Sequence, residues 1–264
     1  MKVNKEADPS DVTTSMDLEF SSLIEWFKVS NRIVITTHIN SDGDGVGSEF
    51  ALAHYFKSVN KEVKIINPTP LHSRFDFIRK KTDFYLDFNQ QNESFISDFL
   101  SRTDLIIFVD MNTIARSGKL EPILKRSPAR TVCIDHHPPS NKFTDILIAD
   151  EKSFATGHLV YKLLKAVNAT LTYDIAECIY ISMISDTGNF KYDNTTPEAH
   201  RIAAEFLEKF RLKPYGVFEN LFHTKNHNTF RLVSALQEQS KVELNGKLIY
   251  TVVPLKMVHE YSAD

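Results

Sequence analysis

The chain has 264 residues, of which 42% are hydrophobic and 25% charged, a composition typical of a globular protein with a buried core. Its formal net charge is −3, so the sequence offers no basic surface of the kind that binds long duplex nucleic acid. No apolar run reaches the ~20 residues of a membrane span, and the first residues lack an apolar signal segment. We therefore expect a cytoplasmic protein that does not bind membranes.

In chain order, short apolar runs alternate with segments of helical periodicity. A first helix is expected from Asp17, a residue type that often caps helices. Several of the apolar runs are β-branched throughout, which is typical of strands buried on both faces. The alternation indicates an α/β fold, a parallel sheet flanked by helices. Strands are predicted at 32–38, 62–68, 104–110, 131–137 and 145–150, and helices at about 46–58, 117–126, 155–168, 174–185 and 197–209.

The pattern changes after residue 213. A helix near 227–241 leads into KVELNGKLIYTVV, in which Asn245-Gly246 predicts a two-residue hairpin turn between alternating strands. Because a lone hairpin is marginally stable in water, we expect it to be the start of a second α/β domain. The two cysteines, Cys133 and Cys178, each lie in an apolar stretch and are expected to be buried free thiols.

The segment THINSDGDGVGSE, residues 37–49, gathers acidic residues and glycines just after the first predicted strand. An EF-hand beginning at Asn40 would need a glutamate where Ala51 stands, and a helix rather than a strand before it. A phosphate-binding P-loop would need a closing Gly-Lys-Ser/Thr. A dinucleotide fingerprint would need a third glycine where Ser48 stands. All three interpretations fit poorly.

The spacing within this segment is more informative. If the chain stays extended beyond the strand, His38, Asn40, Asp42 and Asp44 project to one side. Uncompensated carboxylates so placed would repel one another and raise each other's pKa. A solvated acidic loop is the alternative, and for this segment alone the two interpretations are about equally good.

Further acids and histidines follow other apolar elements. Asp110 ends the run LIIFVD, Asp135-His136-His137 follows TVCI, and Asp186 follows CIYISMIS. Any one of them alone would be read as a cap or a surface turn. Because the carboxyl ends of parallel strands line one crevice, the set together favours a cation site. Five carboxylates and three imidazoles suit two ions, and a set that mixes imidazole with carboxylate and lacks thiolate favours Mn²⁺ over Mg²⁺ and Zn²⁺.

These residues resemble the DHH phosphoesterase family, whose pattern is His-x-Asn/Asp-x-Asp-x-Asp, a strand-ending Asp, Asp-His-His and a further Asp. The stretches MNTIARSGKL and SDTGNFKYDNTTPEA resemble the subgroup that degrades very short RNA oligonucleotides and dephosphorylates 3′-phosphoadenosine 5′-phosphate. The resemblance covers roughly residues 17–255. The matching positions are His38, Asn40, Asp42, Asp44, Asp110, Asp135, His136, His137 and Asp186.

The resemblance implies a centre of two Mn²⁺ ions, with Mg²⁺ or Co²⁺ as substitutes, that activates a water for attack on phosphorus. Asp110 would bridge the ions, Asp135 would orient a histidine, and His137 would face the phosphate as donor or general acid. Arg116 is a candidate phosphate contact, with an ordinary surface arginine as the alternative. The implied ligands are His38, Asp42 and Asp110 for one ion, and Asp44, Asp110, His136 and Asp186 for the other.

The same resemblance implies a domain organisation and a substrate class. A catalytic domain is expected at 17–212, linker helices at 213–241, and a truncated start of the C-terminal substrate-binding domain at 242–264. The expected partners are short single-stranded RNA oligonucleotides or small phosphorylated nucleotides, and a homodimer is left open.

Other functions would use the same site. A pyrophosphatase or a cyclic-dinucleotide phosphodiesterase would need identical ligands, and a non-catalytic, metal-stabilised nucleotide-binding module is a rival from another class. Phe190 and Tyr192 could stack a base, although packing is the commoner role of such aromatics. The basic segments Arg79-Lys80-Lys81 and Lys125-Arg126 could steer an anionic substrate, although a solvated face is the commoner role of such charges.

Overall fold

The computed structural model describes residues 15–261 apart from 90, 139, 141 and 224–226. The chain divides between Pro214 and Tyr215 into two compact units, of which the first is much the larger. No helix of the described chain is long and apolar enough to cross a membrane.

The first unit is built on a six-stranded, entirely parallel sheet with the strand order β3-β2-β1-β4-β5-β6. This sheet, flanked by helices, confirms the predicted α/β fold. In the central strand β4 every residue of Leu-Ile-Ile-Phe-Val is buried, which explains why its sequence is apolar throughout. The strands are β1 (Arg32–Thr36), β2 (Glu62–Asn67), β3 (Tyr85–Asp87), β4 (Leu105–Val109), β5 (Arg130–Asp135) and β6 (Ile146–Ala149).

Helices follow the strands and cover the sheet. Two of them, α2 and α7, pack closely because α2 carries small residues where they meet. A Cβ atom added at Gly47 would lie 2.4 Å from the backbone oxygen of Cys178, so only glycine permits this approach. The helices of this unit are α1 (Ser15–Val29), α2 (Gly43–Ser58), α3 (Asp76–Arg79), α4 (Glu93–Ser101), α5 (Glu121–Leu124), α6 (Thr156–Ala166), α7 (Tyr173–Asp186) and α8 (Pro197–Phe210), with 3₁₀ turns at Ser73–Phe75 and Ile114–Leu120.

The strand order reverses between β1 and β4. From β1 the chain proceeds outward to β2 and β3, then crosses back to β4 on the other side of β1. The loops that leave β1 and β4 therefore run in opposite directions and open a crevice at the carboxyl edge of the sheet. In open α/β sheets, ligands bind at such a switch point.

The second unit contains short helices and a two-stranded antiparallel hairpin. The hairpin occurs where the sequence predicts it, but its connection has four residues, 244–247, because the strand pairing ends at Glu243 and Leu248. Asn245 and Gly246 both have positive φ, at 54° and 84°. The elements are α9 (Pro214–Phe218), a π-helical turn (Glu219–His223), α10 (His227–Glu238), β7 (Lys241–Glu243), β8 (Leu248–Tyr250) and α11 (Leu255–Tyr261).

Several predicted boundaries were wrong. Helix α1 begins at Ser15, so Asp17 lies within the helix rather than capping it. The helix predicted at 117–126 is a 3₁₀ segment followed by one short helix, and Gly118 breaks the 3₁₀ segment internally with φ 52° and ψ −125°. Strand β3 and helix α4 were not predicted. β3 has only three residues, which is too short to show an alternating pattern.

Candidate metal centre

The acidic segment after β1 does not stay extended, contrary to the sequence-based expectation. β1 ends at Thr36, and α2 begins at Gly43. Asp42 caps this helix, since its side chain accepts hydrogen bonds from the backbone nitrogens of Asp44 and Gly45 at 3.0 and 3.4 Å. Asp44 therefore reaches the site from the first turn of a helix rather than from an extended strand.

Asp44 is fully buried and its side chain receives four hydrogen bonds. Ser182 of α7 donates its hydroxyl to Oδ1 at 2.5 Å, and Ser48 of α2 donates its hydroxyl to the same oxygen at 3.4 Å. The start of α6 donates two backbone N–H groups, Thr156 N to Oδ2 at 2.8 Å and Gly157 N to Oδ1 at 3.1 Å. Gly157 must be glycine, because a Cβ there would lie 2.1 Å from the Ser182 hydroxyl. Three helices thus fix the position of one carboxylate.

Asp110 follows β4 directly and is buried. Its φ is 57°, a left-handed conformation that is strained for a non-glycine residue and that clusters at functional sites. One oxygen, Oδ2, lies 3.4 Å from His38 Nε2. The other oxygen, Oδ1, lies 4.0 Å from His136 Nε2. The two oxygens of one carboxylate therefore face two different histidines.

The Asp-His-His triplet follows β5, whose last residue is Asp135. His136 turns toward the cluster, with Nε2 at 2.9 Å from Asp186 Oδ2 and 3.5 Å from Asp44 Oδ2. His137 instead donates Nδ1–H to Asp135 Oδ1 at 2.7 Å. Asp186 is the last residue of α7, so this helix supplies both Asp186 and the Ser182 that holds Asp44.

Two of the imidazoles direct Nε2 at the acids and hold Nδ1 against the backbone. His38 Nδ1 lies 2.8 Å from the Ile39 carbonyl, and His136 Nδ1 lies 3.3 Å from the Ser153 carbonyl. A carbonyl only accepts hydrogen bonds, so each Nδ1 carries a proton, and Nε2 is the atom on which a cation would take the place of a proton. Both Nε2 atoms are buried and lack a hydrogen-bond partner. This backbone-anchored Nδ1 is the usual arrangement of metal-binding histidine, so the residues fit a cation.

The pKa shifts reflect the same crowding of negative charge. Burial raises the pKa of Asp44 well above its ordinary value, and Asp110 and Asp186 raise it further. Burial also raises the pKa of Asp110. Burial alone lowers the pKa of His136, but the carboxylates of Asp186 and Asp44 outweigh it and raise that pKa to about 9. Without a cation, the cluster must therefore hold protons.

The donor atoms form three groups, each with its atoms within 4.8 Å of one another. His38, Asp42 and Asp110 form one of them. A second, made of Asp44, His136 and Asp186, shares no residue with the first, and the third joins Asp110 to His136 and His137. Asp110 thus lies between the two histidines in a position to contact ions in both groups. The sequence-predicted acids and histidines come together at the switch point.

Other residues singled out in the sequence have structural partners. Arg116 donates to the backbone oxygen of Asp110 at 3.3 Å, which places it beside the cluster. The basic segment near residue 80 is engaged by acids, since Asp76 lies 2.6 Å from Arg79 and 2.8 Å from Lys80. Phe190 packs against His200, with the ring centroids 5.1 Å apart.

Some residues that build the site were not identified from the sequence. Ser182, Thr156 and Gly157 hold Asp44, and they lie on helices more than 100 residues away in the chain. Asn194 donates Nδ2–H to the backbone oxygens of Phe154 and Asp186, each at 3.1 Å. These residues carry neither acid nor imidazole. Thr156, Gly157 and Asn194 stand in the short stretches Ala-Thr-Gly and Asn-Thr-Thr, and these small polar stretches are all that the sequence offers to single them out.

The fold and the site define an α/β protein with a candidate metal centre at the carboxyl edge of a parallel sheet, and comparison with known proteins identifies its family. The model of the DHH family, N-terminal domain, matches residues 32–183. This match covers more than half of the chain, which therefore belongs to the DHH family.

Individual relatives agree with this assignment. A bifunctional oligoribonuclease and PAP phosphatase from Thermus thermophilus is 28% identical over 249 residues, which cover 89% of this chain and 67% of that protein. A probable manganese-dependent inorganic pyrophosphatase from Enterococcus faecalis is 27% identical over 71% of this chain and 59% of that protein. The crystal structure of an exopolyphosphatase-related protein from Bacteroides fragilis has a TM-score of 0.86 and 25% identity, and covers 96% of this chain and 74% of that one. The first two relatives are hydrolases, and the chain belongs to a family of phosphoesterases and pyrophosphatases.

Proposed function

We propose that the chain is a metal-dependent phosphoesterase that hydrolyses short oligoribonucleotides, 3′-phosphoadenosine 5′-phosphate, or both. The observation that carries the proposal is Asp110, whose Oδ2 faces His38 and whose Oδ1 faces His136 and His137, while the buried Nε2 atoms of His38 and His136 lack a hydrogen-bond partner. The name of the Thermus relative supports the choice of substrates. The Enterococcus relative supports manganese as the preferred ion.

The residues divide into two ligand sets with Asp110 shared. His38, Asp42 and Asp110 would hold one ion, and Asp44, Asp110, His136 and Asp186 would hold the other. Two divalent ions bound there would supply a nucleophilic water near neutral pH and stabilisation of the charge that develops on the phosphate oxygens. The four carboxylates in these two sets carry a total charge of −4, which balances two divalent ions and supports the count of two.

Three residues beside the ligands are proposed to orient the phosphate group or to transfer a proton to it. Asp135 accepts from Nδ1 of His137, which fixes the ring and leaves Nε2 available to the substrate. The side chain of His137 is 40% exposed, far more than those of the proposed ligands Asp44 and Asp110. We assign His137 as the residue that donates a proton or a hydrogen bond to the phosphate group, with Asp135 orienting it. Arg116 lies beside Asp110 and is the proposed second phosphate contact.

The test is turnover by the whole chain on four substrates, with and without Mn²⁺. These are a dinucleotide, 3′-phosphoadenosine 5′-phosphate, inorganic pyrophosphate and a generic activated phosphodiester. We expect hydrolysis of at least one of the first two in Mn²⁺, its loss on chelation, and close to two ions per chain by metal analysis. Hydrolysis of pyrophosphate alone would replace the proposal with a pyrophosphatase, and binding of Mn²⁺ with no turnover would indicate a non-catalytic module. One ion per chain, unchanged by Asp110→Ala, would refute the shared ligand.

A further inference from the structure

A cavity of about 730 Å³ lies at the carboxyl edge of the sheet, on the side of β2 and β3, and Ile39 and Asn40 of its wall directly follow the proposed ligand His38. Its volume lies within the range of about 300–1,000 Å³ that is typical of small-molecule sites. Its walls are the loops that leave three neighbouring strands: Ile39 and Asn40 after β1, Pro68 and Thr69 after β2, and Phe88 and Asn89 after β3, with Gly118 and Lys119 closing it from the 3₁₀ segment after β4.

The cavity is joined to the metal cluster through the backbone. Ile39 follows the proposed ligand His38, and its nitrogen donates to the carbonyl of Arg116 at 2.8 Å. Asn40, with φ 52°, donates its backbone N–H to Thr69 Oγ1 at 2.8 Å. The backbone that follows the proposed ligand His38 is therefore also part of the wall of this cavity. On the other side of the cluster, the space lined by Asp135 and His137 is about 10 Å³, which is enough for one water at most.

The walls have a chemistry different from that of the cluster. Among the described residues that line the cavity none is acidic, and Lys119 is the one cation. Ile39, Pro68 and Phe88 offer apolar surface for a flat ring. The carboxamide of Asn40 and the hydroxyl of Thr69 can both donate and accept, as the edge of a nucleobase requires.

Given the proposed function, on which this inference rests, we propose that the cavity binds one nucleoside of the substrate. The reacting phosphate of that nucleoside lies at the metal cluster, and a second, non-reacting phosphate pairs with Lys119. Lys119 is exposed and forms no ion pair with the described residues, so its charge is available. A nucleoside with phosphates at its 3′ and 5′ positions is the unit common to 3′-phosphoadenosine 5′-phosphate and to a 5′-phosphorylated oligoribonucleotide. One cavity would thus serve both substrates.

The proposal is tested with two cavity variants. Thr69→Trp fills the cavity, and Lys119→Gln removes its cation while keeping the length of a polar side chain. Val59→Trp at the far end of α2 and Lys165→Gln in the last turn of α6 are matched controls for bulk and for charge. Gln91→Trp, at an exposed residue that lines the cavity, replaces Thr69→Trp if the latter lowers the melting temperature by more than a few degrees.

The first readout is the binding of AMP, measured by calorimetry both in Mn²⁺ and in chelator, so it does not depend on turnover. We expect Lys119→Gln to weaken AMP binding about tenfold, since it loses one charge-assisted phosphate contact. Thr69→Trp should weaken it by at least about tenfold, the equivalent of one lost base contact. The controls should bind as the wild type does. Equal binding by wild type and both cavity variants, or no AMP binding by the wild type, would overturn the proposal.

The second readout is selectivity between two substrates that differ by one phosphate. Lys119→Gln should lower kcat/KM for 3′-phosphoadenosine 5′-phosphate about tenfold and leave that for adenosine 3′-monophosphate unchanged. An equal loss on both substrates would show that Lys119 does not contact the second phosphate. Failure of the proposed function itself gives a different result: the wild type then hydrolyses none of these nucleotides in Mn²⁺, while AMP binding still decides the cavity proposal.

Discussion

Aspartates stand at both edges of the sheet, but the structure satisfies them in opposite ways. At the amino edge, Asp104 Oδ2 accepts from the backbone nitrogens of Asn31 and Arg32, both at 2.8 Å. Asp145 Oδ2 similarly accepts from the nitrogen of Thr131 at 2.8 Å and from its hydroxyl at 2.9 Å. The hydrogen bond from the Arg32 backbone is the main reason why the pKa of Asp104 is lowered. Both acids tie neighbouring strands together, and the lowered pKa of Asp104 means that it stabilises the fold in its charged form.

At the carboxyl edge, acids are gathered where their charges oppose one another. Asp44 and Asp110 are buried, and burial raises the pKa of both. A buried charge that lacks a partner of opposite sign costs several kcal/mol of folding free energy. The acids at this edge therefore do not stabilise the fold by themselves. The comparison teaches that the position of an acid at a strand end does not reveal its role. The role is revealed by whether hydrogen-bond donors compensate an isolated acid, as for Asp104, or whether several buried acids face one another, as Asp44 and Asp110 do, and need a cation.

The largest effect should come from the shared ligand. Asp110→Ala should lower turnover at least about a thousandfold, because metal-ion catalysis contributes several kcal/mol of transition-state stabilisation. Metal analysis should show fewer than two bound ions. Near-normal turnover of this variant in Mn²⁺ would show that the ligand sets are wrongly assigned.

Asp110→Asn tests the electrostatic part of the comparison, because asparagine tolerates the left-handed φ of 57° and only the charge is removed. The metal-free Asp110→Asn protein should melt at the wild-type temperature or above, since one of several mutually repelling acids is gone. Addition of Mn²⁺ at about 100 times its Kd should stabilise the wild type by about 2.7 kcal/mol, and this gain should shrink in the variant. A large loss of stability in the metal-free variant would mean that Asp110 supports the fold as the amino-edge acids do.

A smaller effect is expected from His137. His137→Ala should lower turnover about 10²-fold, the usual contribution of a general acid, while the metal content remains that of the wild type. Turnover and metal analysis on the same preparation separate this from the loss of a ligand. If the variant loses an ion, His137 is itself a ligand, as its place in the group with Asp110 and His136 allows.

A smaller effect again is expected from Asn194, which holds the carbonyls of Phe154 and Asp186 together. Asn194→Ala should lower kcat about tenfold and stability by about 1 kcal/mol, because two hydrogen bonds that position Asp186 are lost. The measurements are kcat against Mn²⁺ concentration and thermal melting. If Asn194 acts by positioning Asp186, the variant needs more Mn²⁺ for half-maximal activity. If the Mn²⁺ concentration for half-maximal activity is unchanged, Asn194 supports the fold and does not position Asp186.

The sequence predicts which acids and histidines lie close together better than it predicts the scaffold around them. Each apolar strand of the centre is followed by a predicted site residue: His38, Asp110 or the triplet that begins at Asp135. Because a parallel sheet brings the carboxyl ends of its strands to one edge, their position in the sequence is enough to predict that they lie close together. The helical placement of Asp44 could not be read in the same way, because the glycines of SDGDGVG resemble a loop. Their close packing against α7, which the structure shows at Gly47, is a property of two segments far apart in the chain.

Residues that support the site through hydrogen bonds to its acids or to nearby carbonyls could not be found from the sequence. Ser182, Thr156 and Asn194 are ordinary polar residues, and their role depends on which carboxylate or carbonyl the fold places beside them. The cavity next to the cluster was also not predicted, because its walls come from four loops and one of the strands, β3, has only three residues.

The smallest effect on activity should come from the amino edge. Asp104→Ala should leave kcat/KM and metal content unchanged, but it should lower stability by about 1–2 kcal/mol, because the backbone N–H groups of Asn31 and Arg32 lose their acceptor. The pKa of Asp104 is lowered in the folded protein, so its contribution is present above the pKa of the unfolded chain and is lost as the pH falls through the folded value. The stability difference between wild type and variant, measured by urea unfolding, should therefore be constant near neutral pH and shrink below about pH 4. A difference that instead vanished at neutral pH, or a loss of turnover in the variant, would remove the distinction between the two edges.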